Sequence, residues 1–133
     1  MFSHVTVGTN DIAKSKKFYD AVLAPLGFHQ RHVKPDGGPK ALCWVATAET
    51  LPRFYVYEPF DGQPARTGNG SMVAFEAMSQ DVVDAAFAGG MKFGGQDVGS
   101  PGLRLQYGDG YYGAYLLDPD GNKLHIVYRG DVR

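Results

Sequence analysis

Ser71-Met72-Val73-Ala74-Phe75-Glu76, followed by Ser79-Gln80-Asp81, is the stretch on which the fold of this chain turns. The first part is apolar and strand-like, and the second offers helix-capping side chains. The same succession stands at the N-terminus. Residues 2–8 alternate, with Phe2, His4 and Thr6 on one face and Ser3, Val5 and Val7 on the other, and Thr9-Asn10-Asp11 follows as a cap. A helical stripe comes next in each copy. It is Ile12, Ser15, Phe18, Tyr19, Val22 and Leu26 in the first, and Val82, Val83, Ala86, Phe87 and Met91 in the second. Gly89 and Gly90 interrupt the second stripe, at about 1 kcal/mol each relative to alanine. Pro25 with Gly27 ends the first helix, and Gly94-Gly95 the second. Three strands complete each copy, near 28–34, 40–48 and 53–58, and near 103–107, 111–117 and 123–129. The reading is an α+β fold of two βαβββ modules, about 1–58 and 71–129, joined by a Pro- and Gly-rich linker over 59–70. Half-chains of about 65 residues barely bury a core alone, so the halves must share one. Their opposite sheet faces are expected to curve around a cleft between them.

Composition agrees with one globular domain. The 133 residues are 44% hydrophobic and 20% charged. A net charge of -1 excludes a nucleic-acid binder that works through a basic field. No apolar run approaches the roughly 18 residues of a membrane span. Met1-Phe2-Ser3-His4-Val5 lacks the basic and apolar pattern of a signal peptide, so a cytoplasmic location is expected. Cys43 is the single cysteine, which excludes an internal disulfide. It sits in the apolar run Ala41-Leu42-Cys43-Trp44-Val45 and reads as a small buried hydrophobe. The 18 glycines follow no collagen period and mark turns or close backbone approach. Gly68-Asn69-Gly70 has no strand before it and no helix after it, so it is not read as a phosphate cradle.

The repeat, with particular residues in it, resembles the vicinal oxygen chelate superfamily of glyoxalase I, extradiol dioxygenases and the bleomycin- and fosfomycin-resistance proteins. The residues are His4-Val5-Thr6-Val7, Asp11 with Ser15 and Phe18-Tyr19, Leu26-Gly27, and Asp118-Pro119-Asp120-Gly121-Asn122-Lys123 before the last strand. The likeness covers essentially the whole chain. It implies a cleft that, in metal-dependent members, holds a divalent ion such as Zn, Ni, Mn or Fe. The ligands there are His, Glu or Gln on the first and last strands of each half. Such an ion works as a Lewis acid and needs open positions for substrate oxygens. Carried over, the four positions are His4, Tyr55, Met72 and His125. Methionine is a soft, weak donor for these ions and a neutral tyrosine a poor one. Glu58 falls on the wrong strand face, and Glu76 sits roughly 13 Å along the strand from Met72.

The resemblance therefore implies either of two functions. One is a protein that binds a small organic molecule in the cleft, with a degenerate metal site and no cofactor. The other is a metal-dependent lyase, isomerase or dioxygenase of the glyoxalase type using His4 and His125. Metal-free catalysis with either histidine as general base is a third. A homodimer is implied as well, with the modules paired within or between chains. Strand parity adds Arg53, Tyr55 and Tyr57 as ligand contacts. Trp44 on the third strand, and Tyr107, Tyr111 and Tyr112 beside a Gly-rich segment, are further wall candidates. Arg104, between two leucines, would pair with an anionic ligand or with a structural carboxylate. His29 and His32 read as surface residues.

Overall fold

The computed structural model describes residues 1–133. Its elements are β1 (His4–Gly8), α1 (Ile12–Leu23), β2 (Phe28–Arg31), β3 (Ala41–Ala46), β4 (Arg53–Tyr57), β5 (Val73–Ala77), α2 (Gln80–Lys92), β6 (Gln96–Leu103), β7 (Tyr111–Leu117) and β8 (Lys123–Arg129). Short 3-10 turns lie at Ala24–Leu26 and Leu105–Tyr107. The strands form two sheets, ordered β1-β4-β3-β2 and β5-β8-β7-β6. Within each sheet the pair that begins this order, β1 with β4 and β5 with β8, is parallel and the others are antiparallel. Thr6 stands opposite Tyr55 as Ala74 stands opposite His125, so Tyr55 and His125 occupy equivalent places in the two modules.

The caps form as read. Asp11 accepts from the Lys14 amide at 3.0 Å, and the Ser79 side chain from the Val82 amide at 3.2 Å. The second strand of module two is the exception. The strand expected near 103–107 lies instead at 96–103, where it pairs with β7, and 105–107 is a 3-10 turn. The ladder between β6 and β7 slips around Gly99 and again before Gly102, so strand alternation is broken and hidden from a period-two reading.

One core serves both modules. Each helix turns its apolar stripe inward, and the two helices lie against each other between the sheets. Gly89 permits that approach, because a Cβ there would stand 2.7 Å from the Ala21 carbonyl oxygen. Across the module boundary, the Phe75 ring of β5 meets Phe54 at 5.2 Å and Phe28 at 6.0 Å, both edge-on. The faces that meet inside this chain are therefore the helix-side faces. The other face of each sheet is directed away from the common core, and the two sheets are not closed around an enclosed cleft.

A polar stitch also joins the modules. The Asp118-Pro119-Asp120-Gly121 turn sits against the β1–α1 turn. The Tyr19 hydroxyl donates to Asp118 Oδ2 at 2.5 Å, and the Thr9 hydroxyl to Asp120 Oδ2 at 2.6 Å. Asn122 Nδ2 donates to the Gly8 carbonyl at 2.9 Å. Asn10 holds the linker, accepting from the Ala65 amide at 2.7 Å and donating to its carbonyl at 3.2 Å. No helix is long and apolar enough to cross a membrane.

Candidate functional site

On β8 the odd-numbered residues Lys123, His125, Val127 and Arg129 share one face, while Leu124 and Ile126 enter the core. The imidazole of His125 leans across β7 above Gly113, where an added Cβ would meet its Cε1 at 2.5 Å. It stacks on the Tyr115 ring at 4.0 Å and 7°, with Tyr111 at 5.8 Å and 19°. Tyr115 in turn lies over Gly99 of β6, whose Cβ would come within 2.9 Å of the ring. Two glycines inside strands thus leave the room in which the aromatic array lies flat.

Hydrogen bonding sets the protonation of His125. Its Nδ1 is 2.9 Å from the Ala114 carbonyl oxygen, which only accepts, so Nδ1 carries the proton. Nε2 of the neutral ring then accepts from the Tyr111 hydroxyl at 2.7 Å. Burial holds the imidazole pKa below its ordinary value, and the charges of Arg104 and Lys123 push the same way against the Ala114 bond. The unfolded chain therefore binds this proton more readily than the folded one. The contribution to stability is present above about pH 6.5 and is lost as the pH falls through the lowered value. Urea denaturation from pH 7.5 down to 5 should show a loss of stability that His125→Phe reduces; equal slopes would remove His125 as the cause.

Charged groups surround the array. The Arg104 guanidinium stands 5.7 Å from the Tyr115 ring centroid and donates to the Ser100 carbonyl at 2.8 Å. The Lys123 ammonium stands 5.1 Å from the same centroid. Arg129 lies 5.2 Å from the Tyr111 centroid and pairs with Asp131. Tyr107 is exposed, with its ring 5.2 Å from Tyr111.

The matching face of the first sheet carries its own group. His4 is exposed, with Nδ1 3.0 Å from the Ser3 hydroxyl, and meets Tyr55 edge-on at 5.4 Å. Arg53 reaches the Tyr55 hydroxyl at 3.4 Å, and the Tyr57 ring lies 5.7 Å from that of Tyr55. The sequence candidates thus fall into two clusters. His4, Arg53, Tyr55 and Tyr57 are on one sheet, and His125 is on the other, with Arg104 and Tyr107 in the segment that follows β6.

Two wall candidates are corrected. Trp44 is 1% exposed, packs in the core against Tyr19 and Phe54, and donates from Nε1 to Asp20 at 2.9 Å. Its register partner is Phe54, which shares the helix-side face, and not Tyr55. Tyr112 is likewise on the helix side, where its hydroxyl donates to Asp84 of α2 at 2.6 Å. That bond, with burial, pushes its pKa up to about 12. Met72 is exposed just before β5 and shares a shallow depression with Lys123 and Ser71. Glu76 is gripped by Arg133 at 2.6–2.8 Å. Cys43 is buried, and burial raises its thiol pKa, as befits an inert side chain. Tyr115, Lys123 and Gly113 were missed as site residues. The alternation Tyr111-x-Gly113-x-Tyr115 was a legible signal for them, because a strand places those three on one face.

A family model described as the Glyoxalase/Bleomycin resistance protein/Dioxygenase superfamily matches residues 1–126. The chain belongs to that superfamily. Among solved structures, it is similar to a glyoxalase/bleomycin resistance protein from Albidiferax ferrireducens T118, at 41% identity and a TM-score of 0.82, over 97% of this chain and 98% of that one. A glyoxalase-related enzyme from Fulvimarina pelagi shares the fold at 18% identity and a TM-score of 0.71, over 97% and 88% of the two chains. A family enzyme from Burkholderia phytofirmans PsJN does so at 18% and 0.70, over 95% and 96%. No curated protein matches.

The superfamily's ion would be sought at His4, Tyr55, Met72 and His125, and these residues fit it poorly. The set is a thioether, a phenol and two imidazoles, one of which already accepts at Nε2 from Tyr111. No three His, Cys, Asp or Glu side chains of the chain gather closely enough to hold a metal ion.

Proposed function

We propose that this member of the glyoxalase/bleomycin resistance superfamily binds a small organic molecule on the aromatic face of its second sheet, without a resident metal. The observation that carries the reading is the Tyr111–His125–Tyr115 array, in which both imidazole nitrogens are committed to the protein. Flat rings with a few polar groups suit a partly apolar ligand. Because the open faces point away from the core of one chain, a second copy would supply the opposite wall. His4, Arg53, Tyr55 and Tyr57 of that copy's first sheet would then face His125, Arg104 and Tyr107 in a homodimer.

A second reading keeps a metal-dependent lyase, isomerase or dioxygenase built on His4 and His125. It is favoured by one detail: donation from Nδ1 to a backbone carbonyl is how ligating imidazoles are commonly oriented. The same neutral ring would suit a general base in metal-free catalysis.

Metal analysis of untagged protein, with calorimetric titration of Ni, Zn, Mn and Fe, separates the readings. The expected result is no stoichiometric binding tighter than about micromolar, or about 8 kcal/mol. Tight binding that both His4→Ala and His125→Ala abolish would overturn the metal-free reading. Sedimentation analysis tests the pairing: a monomer at working concentrations would remove the second wall.

A further inference from the structure

We infer that the ligand of the second-sheet face is an organic anion, a carboxylate or phosphate ester, whose charge is held between Arg104 and Lys123. This deepens the ligand-binding reading and rests on it. The ion pairs of the fold are Lys16 with Asp20, Arg129 with Asp131, and Arg133 with Glu76. Arg104 and Lys123 are in none of them, yet both stand beside the same Tyr115 ring, at 5.7 and 5.1 Å from its centroid. Two like charges thus stand beside one ring, and neither is paired with a carboxylate.

The nearby acids are engaged elsewhere. Asp97 accepts from the Ser100 hydroxyl and, at 2.8 Å, from the Gly99 amide. Asp131 is paired with Arg129, and Glu76 with Arg133. The neutral His125 adds no charge of its own. Arg104 is positioned, because its Nη2 is fixed on the Ser100 carbonyl while the rest of the guanidinium keeps donors to offer. Lys123 is exposed and follows the Asp118–Asn122 turn, which is fixed by its own hydrogen bonds. A planar guanidinium beside an ammonium suits an anion with two or three oxygens, and the adjoining rings suit a flat apolar body.

The test uses three probes of similar shape: salicylate, its uncharged amide, and phenyl phosphate. Binding to the full chain is followed by amide chemical shifts at low and high salt. The acids should bind at least about tenfold more tightly than the amide, the loss expected for a charge-assisted hydrogen bond. Their advantage should shrink with salt. Arg104→Gln and Lys123→Gln should each remove most of it, with unchanged thermal midpoints, while Arg104→Lys retains part. Salicylate against phenyl phosphate tells which oxygen geometry is preferred. If the amide binds as well as the acids, or if both glutamine variants keep the preference, the anion inference fails and ligand binding survives. If neither the acids nor the amide perturb the Tyr111, Tyr115 and His125 signals, the anion inference and the placement of a ligand on this face fail together.

Discussion

Asp118→Ala is expected to lower the unfolding free energy by about 3–5 kcal/mol, because it strips a buried carboxylate from four donors, of which only Asn122 Nδ2 has another acceptor, the Gly8 carbonyl. Asp118 is 3% exposed. Its Oδ1 accepts from the Asp120 and Asn122 amides, both at 2.9 Å, and its Oδ2 from the Tyr19 hydroxyl at 2.5 Å and from Asn122 Nδ2 at 2.8 Å. Tyr19 is fully buried, so its hydroxyl would be left dry. The loss falls where the modules meet, since Tyr19 belongs to the first module and Asp118 to the second. Asp118→Asn separates shape from charge. Its carbonyl oxygen would keep both amides, and Tyr19 would turn to accept from its nitrogen. Asn122 Nδ2 would face a donor and the Tyr19 hydroxyl proton would lose its acceptor, but both backbone amides keep theirs, so the cost should be smaller than that of alanine. Equilibrium urea unfolding of the three proteins measures this. A loss under about 1 kcal/mol for alanine would mean that water replaces the carboxylate and the stitch is ornamental.

Gly113→Ala is expected to cost about 2–4 kcal/mol and to abolish the ligand binding proposed for the second sheet. A methyl group inside a strand normally helps, since glycine loses more freedom on folding by about 0.5–1 kcal/mol relative to alanine. Here the added carbon would lie 2.5 Å from His125 Cε1 and 3.2 Å from the Ile126 carbonyl oxygen. The imidazole must rotate away, which breaks its bonds to Ala114 and Tyr111 and its stack on Tyr115. The clash outweighs the entropic gain. Removing the ring should remove most of the penalty, so adding Gly113→Ala to His125→Ala should cost under about 1 kcal/mol. If the methyl costs the same in both backgrounds, the strain lies in the backbone and not at the ring.

Both predictions concern residues that looked ordinary in the sequence. Asp118 belonged to a tight-turn motif, and Gly113 was one glycine among 18. Turn chemistry is local, so the motif placed the β7–β8 connection correctly but could not say that the carboxylate reaches Tyr19, 99 residues earlier. The reading of β6 failed for a related reason. Ladder slips around Gly99 and Gly102 erase the alternation by which a strand is recognised. Trp44 and Tyr112 were placed by aromatic character alone, and register sends both to the helix side.

The sequence by itself determined the two βαβββ modules, their caps, the equivalence of Tyr55 with His125, and the superfamily. The modules and caps rest on period, capping and turn signals that act over a few residues, and the superfamily on a resemblance carried by particular residues such as His4 and the Asp118–Lys123 turn. Only the tertiary structure decided that the helices pack between the sheets and the open faces point outward. The same is true of the separation of His4 from His125, and of the neutral imidazole lying over Gly113 between two tyrosines. Those outcomes depend on which apolar faces are buried against each other, a competition among contacts distant in the chain that leaves no local periodicity to read.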